Sequence, residues 1–112
     1  MRLTAYDIEC LEKARTLIAD NPRLHYSTTA IAHSVGMGST RLKAGFKQHF
    51  GTGLFGYLRE QRMMLAIQLL EDPEKSIKSI AKETGFVYVT NFSAAFKKRF
   101  GMTAVEWRKG GE

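Results

Sequence analysis

Two short stretches gather side chains able to grip or read a polyanion. The first holds Ser39, Thr40 and Arg41, followed by Lys43 and Lys47. The second holds Tyr88, Val89, Thr90 and Asn91, followed by Lys97 and Lys98. Arg and Lys clamp phosphate oxygens or donate to guanine O6 and N7, and Thr serves either purpose. Val89 offers apolar contact to a thymine methyl. Asn91 suits base contact and a backbone-bonding role in a turn equally well. Lys97, Lys98 and Arg99 lie farther along their segment, where phosphate contact is the better expectation.

Other chemistries fall away. His25, His33, His49 and Cys10 lack the spacing of a structural metal site, which needs four closely placed nitrogen or sulfur ligands. Gly36-Met37-Gly38 and Gly51-Thr52-Gly53 lack the Lys-Ser/Thr and strand context of phosphate-cradling loops and read as turns. Nothing resembles a nucleophile elbow, so neither catalysis nor a cofactor is expected. No apolar run approaches the roughly 18 residues of a membrane span. The first ten residues mix Arg2, Asp7 and Glu9 with apolar ones, unlike a secretory leader. The single cysteine fits a reducing, cytoplasmic setting.

The charge distribution agrees with a polyanionic partner. The 112 residues carry 17 Lys and Arg against 11 Asp and Glu, a formal net charge of +6. Up to Leu24 the signs balance, with Arg2, Lys13, Arg15 and Arg23 against Asp7, Glu9, Glu12 and Asp20. The whole excess therefore lies from His25 onward, where a nucleic acid or anionic surface would be attracted.

Helical periodicity must position these groups, and no alternating run suggests a strand. Residues 6–19 place Ile8, Leu11, Ala14, Leu17 and Ile18 on one stripe, with Thr4 or Ala5 at the start and Asn21-Pro22 as the stop. Ser27 or Thr28 caps a short helix to Val35, which Gly36 ends. Ser39 caps a helix with Leu42, Phe46 and Phe50 on one face. Residues 54–71 read as the longest helix, with Leu58, Met64 or Leu65, and Leu69 inward. Ser76 caps residues 77–84, Gly85 breaks the chain, and residues 90–100 form the next helix. Thr103 to Glu106 fits a capping box opening a last helix around Trp107. Met63, Met64 and Trp107 suit the core, and Lys109 to Glu112 reads as a disordered tail.

The chain also repeats itself. Residues 29–37, Thr-Ala-Ile-Ala-His-Ser-Val-Gly-Met, match residues 78–86, Lys-Ser-Ile-Ala-Lys-Glu-Thr-Gly-Phe. After one extra residue in the second turn, Leu42, Phe46, Lys47, Phe50 and Gly51 match Phe92, Phe96, Lys97, Phe100 and Gly101, and Tyr57 falls opposite Trp107. Each copy is a short helix, a glycine turn and a longer helix, which is the helix-turn-helix plan. The expected fold is one all-α domain of seven helices over residues 1–112. It contains two helix-turn-helix subdomains, residues 27–52 and 76–101, joined by a long central helix at 54–72. In such units the second helix enters the major groove of double-stranded DNA. A linker of about 27 Å would hold two reading heads roughly one helical turn apart. Arg59 and Arg62 on it suit the DNA backbone or, with Glu60, a solvated face. The competing expectation is a helical protein-interaction module without sequence-specific DNA contact.

From about Ser27 to Lys109 the sequence resembles the AraC/XylS family of bacterial transcription regulators. The likeness rests on Ile31-Ala32…Gly36-Met37, Leu42…Phe46-Lys47…Phe50-Gly51, and Tyr57-Leu58-Arg59…Arg62-Met63. It rests above all on Ile80-Ala81…Gly85-Phe86…Asn91-Phe92-Ser93…Phe96-Lys97-Lys98-Arg99-Phe100-Gly101-Met102-Thr103. Residues 40–52 are also similar to the siderophore-responsive, pyochelin-regulator branch. The resemblance implies promoter binding, activation through contact with RNA polymerase, and a separate effector-binding or dimerisation domain on an N-terminal segment. Many relatives carry Arg at the positions of Ala44 and Ala94, so base reading is not carried over to those two. A larger share then falls to Thr40, Arg41 and Lys43, or sequence discrimination is weaker.

Overall fold

The computed structural model describes residues 1–110, in which seven helices and no strand occur. They are α1 (Ala5–Asp20), α2 (Thr28–Val35), α3 (Ser39–Phe50), α4 (Leu54–Leu69), α5 (Ile77–Glu83), α6 (Val89–Phe100) and α7 (Ala104–Arg108). Chain contacts divide them into two compact units, with the boundary between Glu60 and Gln61, inside α4. Of the expected tail, Gly111 and Glu112 lie outside the described residues.

Helix starts follow local chemistry. Thr4, Ser27, Ser76 and Thr103 each accept a hydrogen bond from the backbone N–H three residues on, satisfying a donor that no helical carbonyl can reach. Thr4 with Asp7, and Thr103 with Glu106, complete reciprocal capping boxes. Ser39 does not cap α3 as expected. The N-cap is Gly38, and Ser39 is the first helical residue. Gly36 ends α2 at φ +79°, a conformation that favours glycine, and a Cβ there would displace the Tyr6 hydroxyl from its hydrogen bond to the Gly36 carbonyl.

The first unit buries Cys10, Leu11, Ala14, Ile18, Ile31, Ala32, Val35, Leu42, Phe46, Leu54 and Leu58 in one cluster. The second buries Met63, Ala66, Leu70, Ile80, Ala81, Phe92, Phe96 and Ala104. The internal repeat is therefore also a repeat of cores. Ile31-Ala32 and Ile80-Ala81 are buried alike, as are Phe46 and Phe96. Ala32 and Ala81 also accept matching turn bonds at 3.0 Å, from the N–H groups of Met37 and Phe86.

The repeat reaches further than the sequence match. Leu11, Ala14 and Ile18 on α1 are buried at the same spacing as Met63, Ala66 and Leu70, and each set precedes its own helix-turn-helix. Leu54 and Ala104 are buried after each. Thus α4 serves twice, its first half completing the first core and its second half opening the second. That double duty explains why its inward residues differ from expectation. Met63, Ala66 and Leu70 are buried, whereas Met64 is exposed and Leu65 and Leu69 are half-buried. It also ends at Leu69, two residues early, and its 16 residues equal those of α1, so the two share the greatest length. On α1 the stripe is rotated toward Asp7 and Cys10, leaving Ile8 half-buried.

Candidate nucleic-acid interface

In the first unit the aromatic anchors set how α3 is rolled. Phe46 and Leu42 are fully buried, and Phe46 meets Phe50 at 4.6 Å and Tyr57 at 5.8 Å between ring centroids. Rings at these separations favour edge-to-face and tilted contact, so α3 has one preferred setting about its axis. The opposite side then carries Thr40, Lys43, Ala44, Lys47 and Gln48, which line one open, shallow depression. Thr40, Lys43 and Lys47 are exposed there, and Ser39 is half-buried at its edge.

Arg41 has a partner that the sequence reading did not include. Expected on the outer side, it is tied to α1, with Nε donating to Asp7 Oδ1 at 3.0 Å and Nη2 to Asp7 Oδ2 at 2.5 Å. Nη2 also donates to the Arg2 carbonyl at 2.8 Å. Asp7 is only 5% exposed. The Arg41 guanidinium, then the Thr4 N–H, hold its carboxyl far below the usual carboxylate range. Turning Arg41 toward a base would strand a buried carboxylate without its cation, the unfavourable way to break such a pair. No local spacing signals this link, because the partners are 34 residues apart.

The strap ahead of α1 follows the same side of α3. Gln48 Nε2 donates to the Met1 carbonyl at 2.8 Å, and Leu3 lies where a side chain on Gly45 would press on it, 3.2 Å from an added Cβ. Gly45 is thus covered and Arg41 half-covered on this side, Gln48 stands exposed at its edge, and the open stripe is the one with the lysines.

In the second unit Phe96 repeats this role, 4.7 Å from Phe100 and 6.0 Å from Trp107, with Phe92 added at 5.9 Å. Trp107 is half-buried against this cluster. Tyr88, Val89, Thr90, Asn91, Ala94, Lys97 and Lys98 are exposed. Helix α6 begins at Val89 with Tyr88 as N-cap, so Thr90 is neither cap nor turn residue. Neither α3 nor α6 has a side chain capping its first turn, unlike α1, α2, α5 and α7. Neither contains Asp or Glu. Lys97 also lies near enough to Glu106 to contribute to that carboxyl's lowered pKa, behind the hydrogen bonds from Thr103. Arg62 sits over the Phe86 ring at 5.7 Å, and Arg59 is exposed.

Among the described residues no cluster of His, Cys, Asp and Glu could hold a metal ion, and no helix is long and apolar enough to cross a membrane.

Two helix-turn-helix units, each presenting an acid-free second helix, define the class of protein, and known proteins agree. A family model described as a helix-turn-helix domain matches residues 31–110. The structure of an AraC-type DNA-binding domain-containing regulator from Chromobacterium violaceum is 33% identical, with a TM-score of 0.84 and 96% of each chain covered. The chain belongs to this AraC-type helix-turn-helix family. Curated relatives include the transcriptional regulator GlxA of Rhizobium meliloti, 37% identical over 88% of this chain and 29% of its own length. The regulatory protein PchR of Pseudomonas aeruginosa is 36% identical over 68% of this chain and 26% of its own. These near-equal identities select no single branch of the family, and the chain spans less than a third of either relative.

Proposed function

We propose that this chain is the double-stranded-DNA-binding part of a transcription regulator that works in the cytoplasm and activates at promoters. The observation that carries the reading is the duplicated head, in which α3 and α6 each turn their aromatic side inward and leave an exposed, acid-free side with lysines. In the first head Thr40, Lys43 and Lys47 meet DNA, with Ser39 at the margin and Arg41 held back by Asp7. In the second, Tyr88, Val89, Thr90 and Asn91 face base edges, and Lys97 and Lys98 face phosphates. The two heads engage successive major grooves. Relatives named as virulence regulon transcriptional activators of Yersinia enterocolitica support the activating role. An effector-binding or dimerisation domain on a preceding segment, and contact with RNA polymerase, belong to the same proposal. No catalytic step is required.

Selection from a random duplex pool, followed by footprinting, tests this reading. The expected footprint has two protected patches about 10 base pairs apart. Lys43→Ala/Lys47→Ala should weaken one patch and Lys97→Ala/Lys98→Ala the other. Failure to enrich any sequence would overturn the proposal.

A further inference from the structure

The second head carries an apolar cluster that its twin lacks. Val87, Tyr88 and Val89 expose 73%, 65% and 39% of their surfaces. The matching positions of the first head are Gly38 and Ser39, and Val87 is the one extra residue of the second turn. The two turns share their main supports, although α5 is capped by Thr84 one residue before its glycine. Met37 and Phe86 are both half-buried with matching N–H bonds, and the N-cap backbone is extended in both. The apolar trio is therefore not needed to make the turn. It also brings no local gain, since Tyr88 supplies no side-chain cap and a β-branched residue at a helix start is an indifferent helix former.

We propose that Val87, Tyr88 and Val89 form a thymine-methyl reader, so that the two heads recognise half-sites of different chemistry. This rests on the DNA-binding reading above and specifies what its second head selects. Charge complementarity on the same helix favours a duplex as the occupant. Helix α6 contains no acid and exposes Lys97 and Lys98, which suit phosphates. The thymine C5-methyl is the apolar feature that a major groove presents to valines. A purely apolar protein groove would match the valines but gives the lysines no partner, whereas a duplex serves both. The first head has no such trio of large exposed apolar side chains, and presents the Thr40 hydroxyl and the Lys43 and Lys47 ammonium groups around the small Ala44. Its half-site is read mainly by hydrogen bonds, whereas the second head adds methyl contacts to the hydrogen bonds of Thr90 and Asn91.

Deoxyuridine provides the test, because it removes the methyl and leaves every hydrogen-bonding group in place. Duplexes about three helical turns long, enriched by this chain from a random pool, are remade with deoxyuridine in one half-site at a time. Affinity is read by fluorescence anisotropy. Burial of one methyl corresponds to about fourfold in affinity, so two should give about fifteenfold. Loss of that size is expected in one half-site and almost none in the other. Val87→Ser/Val89→Ser should bring the thymine-to-uracil ratio in the sensitive half-site close to one, with helical circular dichroism unchanged. Val87→Ala alone should reduce it in part and serves if the double variant does not fold. Tight binding that ignores the uracil exchange in both half-sites would overturn the methyl reader and leave DNA binding intact. The same holds if the double variant instead loses binding to purified RNA polymerase, which would make the trio a protein contact. If no duplex is enriched at all, the underlying DNA-binding reading fails first.

Discussion

Salt offers the most quantitative check on how the two heads hold DNA. Four lysines are exposed on the open sides of α3 and α6, namely Lys43, Lys47, Lys97 and Lys98. If each neutralises one phosphate, log K should fall with log salt at a slope of about −3.6. Between 50 and 200 mM salt the affinity would then drop about 150-fold. Replacing one of the four, as in Lys98→Ala, should flatten the slope to about −2.7 and the drop to about 40-fold. Anisotropy titrations of a labelled duplex at four or five salt concentrations (roughly spanning that range) resolve such a difference. Lys109, exposed but on neither head, supplies the control, and Lys109→Ala should leave the slope near its parent value. A slope near zero, or one that all five substitutions change equally, would refute the assignment of phosphate contacts to these two helices.

Two further outcomes concern the frame behind the heads. Arg41→Ala should lower the thermal midpoint while leaving the enriched DNA sequence unchanged, since its guanidinium is committed to Asp7; an altered base preference would return Arg41 to the reading set. Asp7→Asn should destabilise in a pH-dependent way. The folded carboxyl is held below its ordinary value by Arg41 and Thr4, so its contribution is full above the unfolded value of about 3.9 and fades as pH falls toward the folded one. The gap between parent and variant should therefore be widest at neutral pH and shrink below about pH 4, as followed by urea unfolding. Phe96→Ala, at a fully buried ring touching Phe92, Phe100 and Trp107, should cost about 3–5 kcal/mol by the same measurement. A loss under about 1 kcal/mol would mean that Phe96 does not set the roll of α6.

What the sequence determined by itself is whatever short-range chemistry decides. Ser27 and Ser76 cap because a hydroxyl can reach the N–H three residues on, wherever the helix later packs. Gly36 and Gly85 mark the turns because both adopt positive φ, which side chains with a Cβ resist. Phe46 and Phe96 were legible as anchors because spacing along a helix fixes which residues share a side. The duplication made those signals count twice. Only the tertiary structure decided which residues those sides meet. It tied Arg41 to α1, because Asp7 on a helix far away in sequence offers a buried anion to it. It made Met63 a core residue and Met64 a surface one, because a single helix opens the second core after closing the first. It also showed that α1 corresponds to the second half of α4, a repeat too sparse in identical residues to read from the chain. Local preference acts over a turn or two of helix, whereas burial and ion pairing depend on what the remainder of the chain brings alongside.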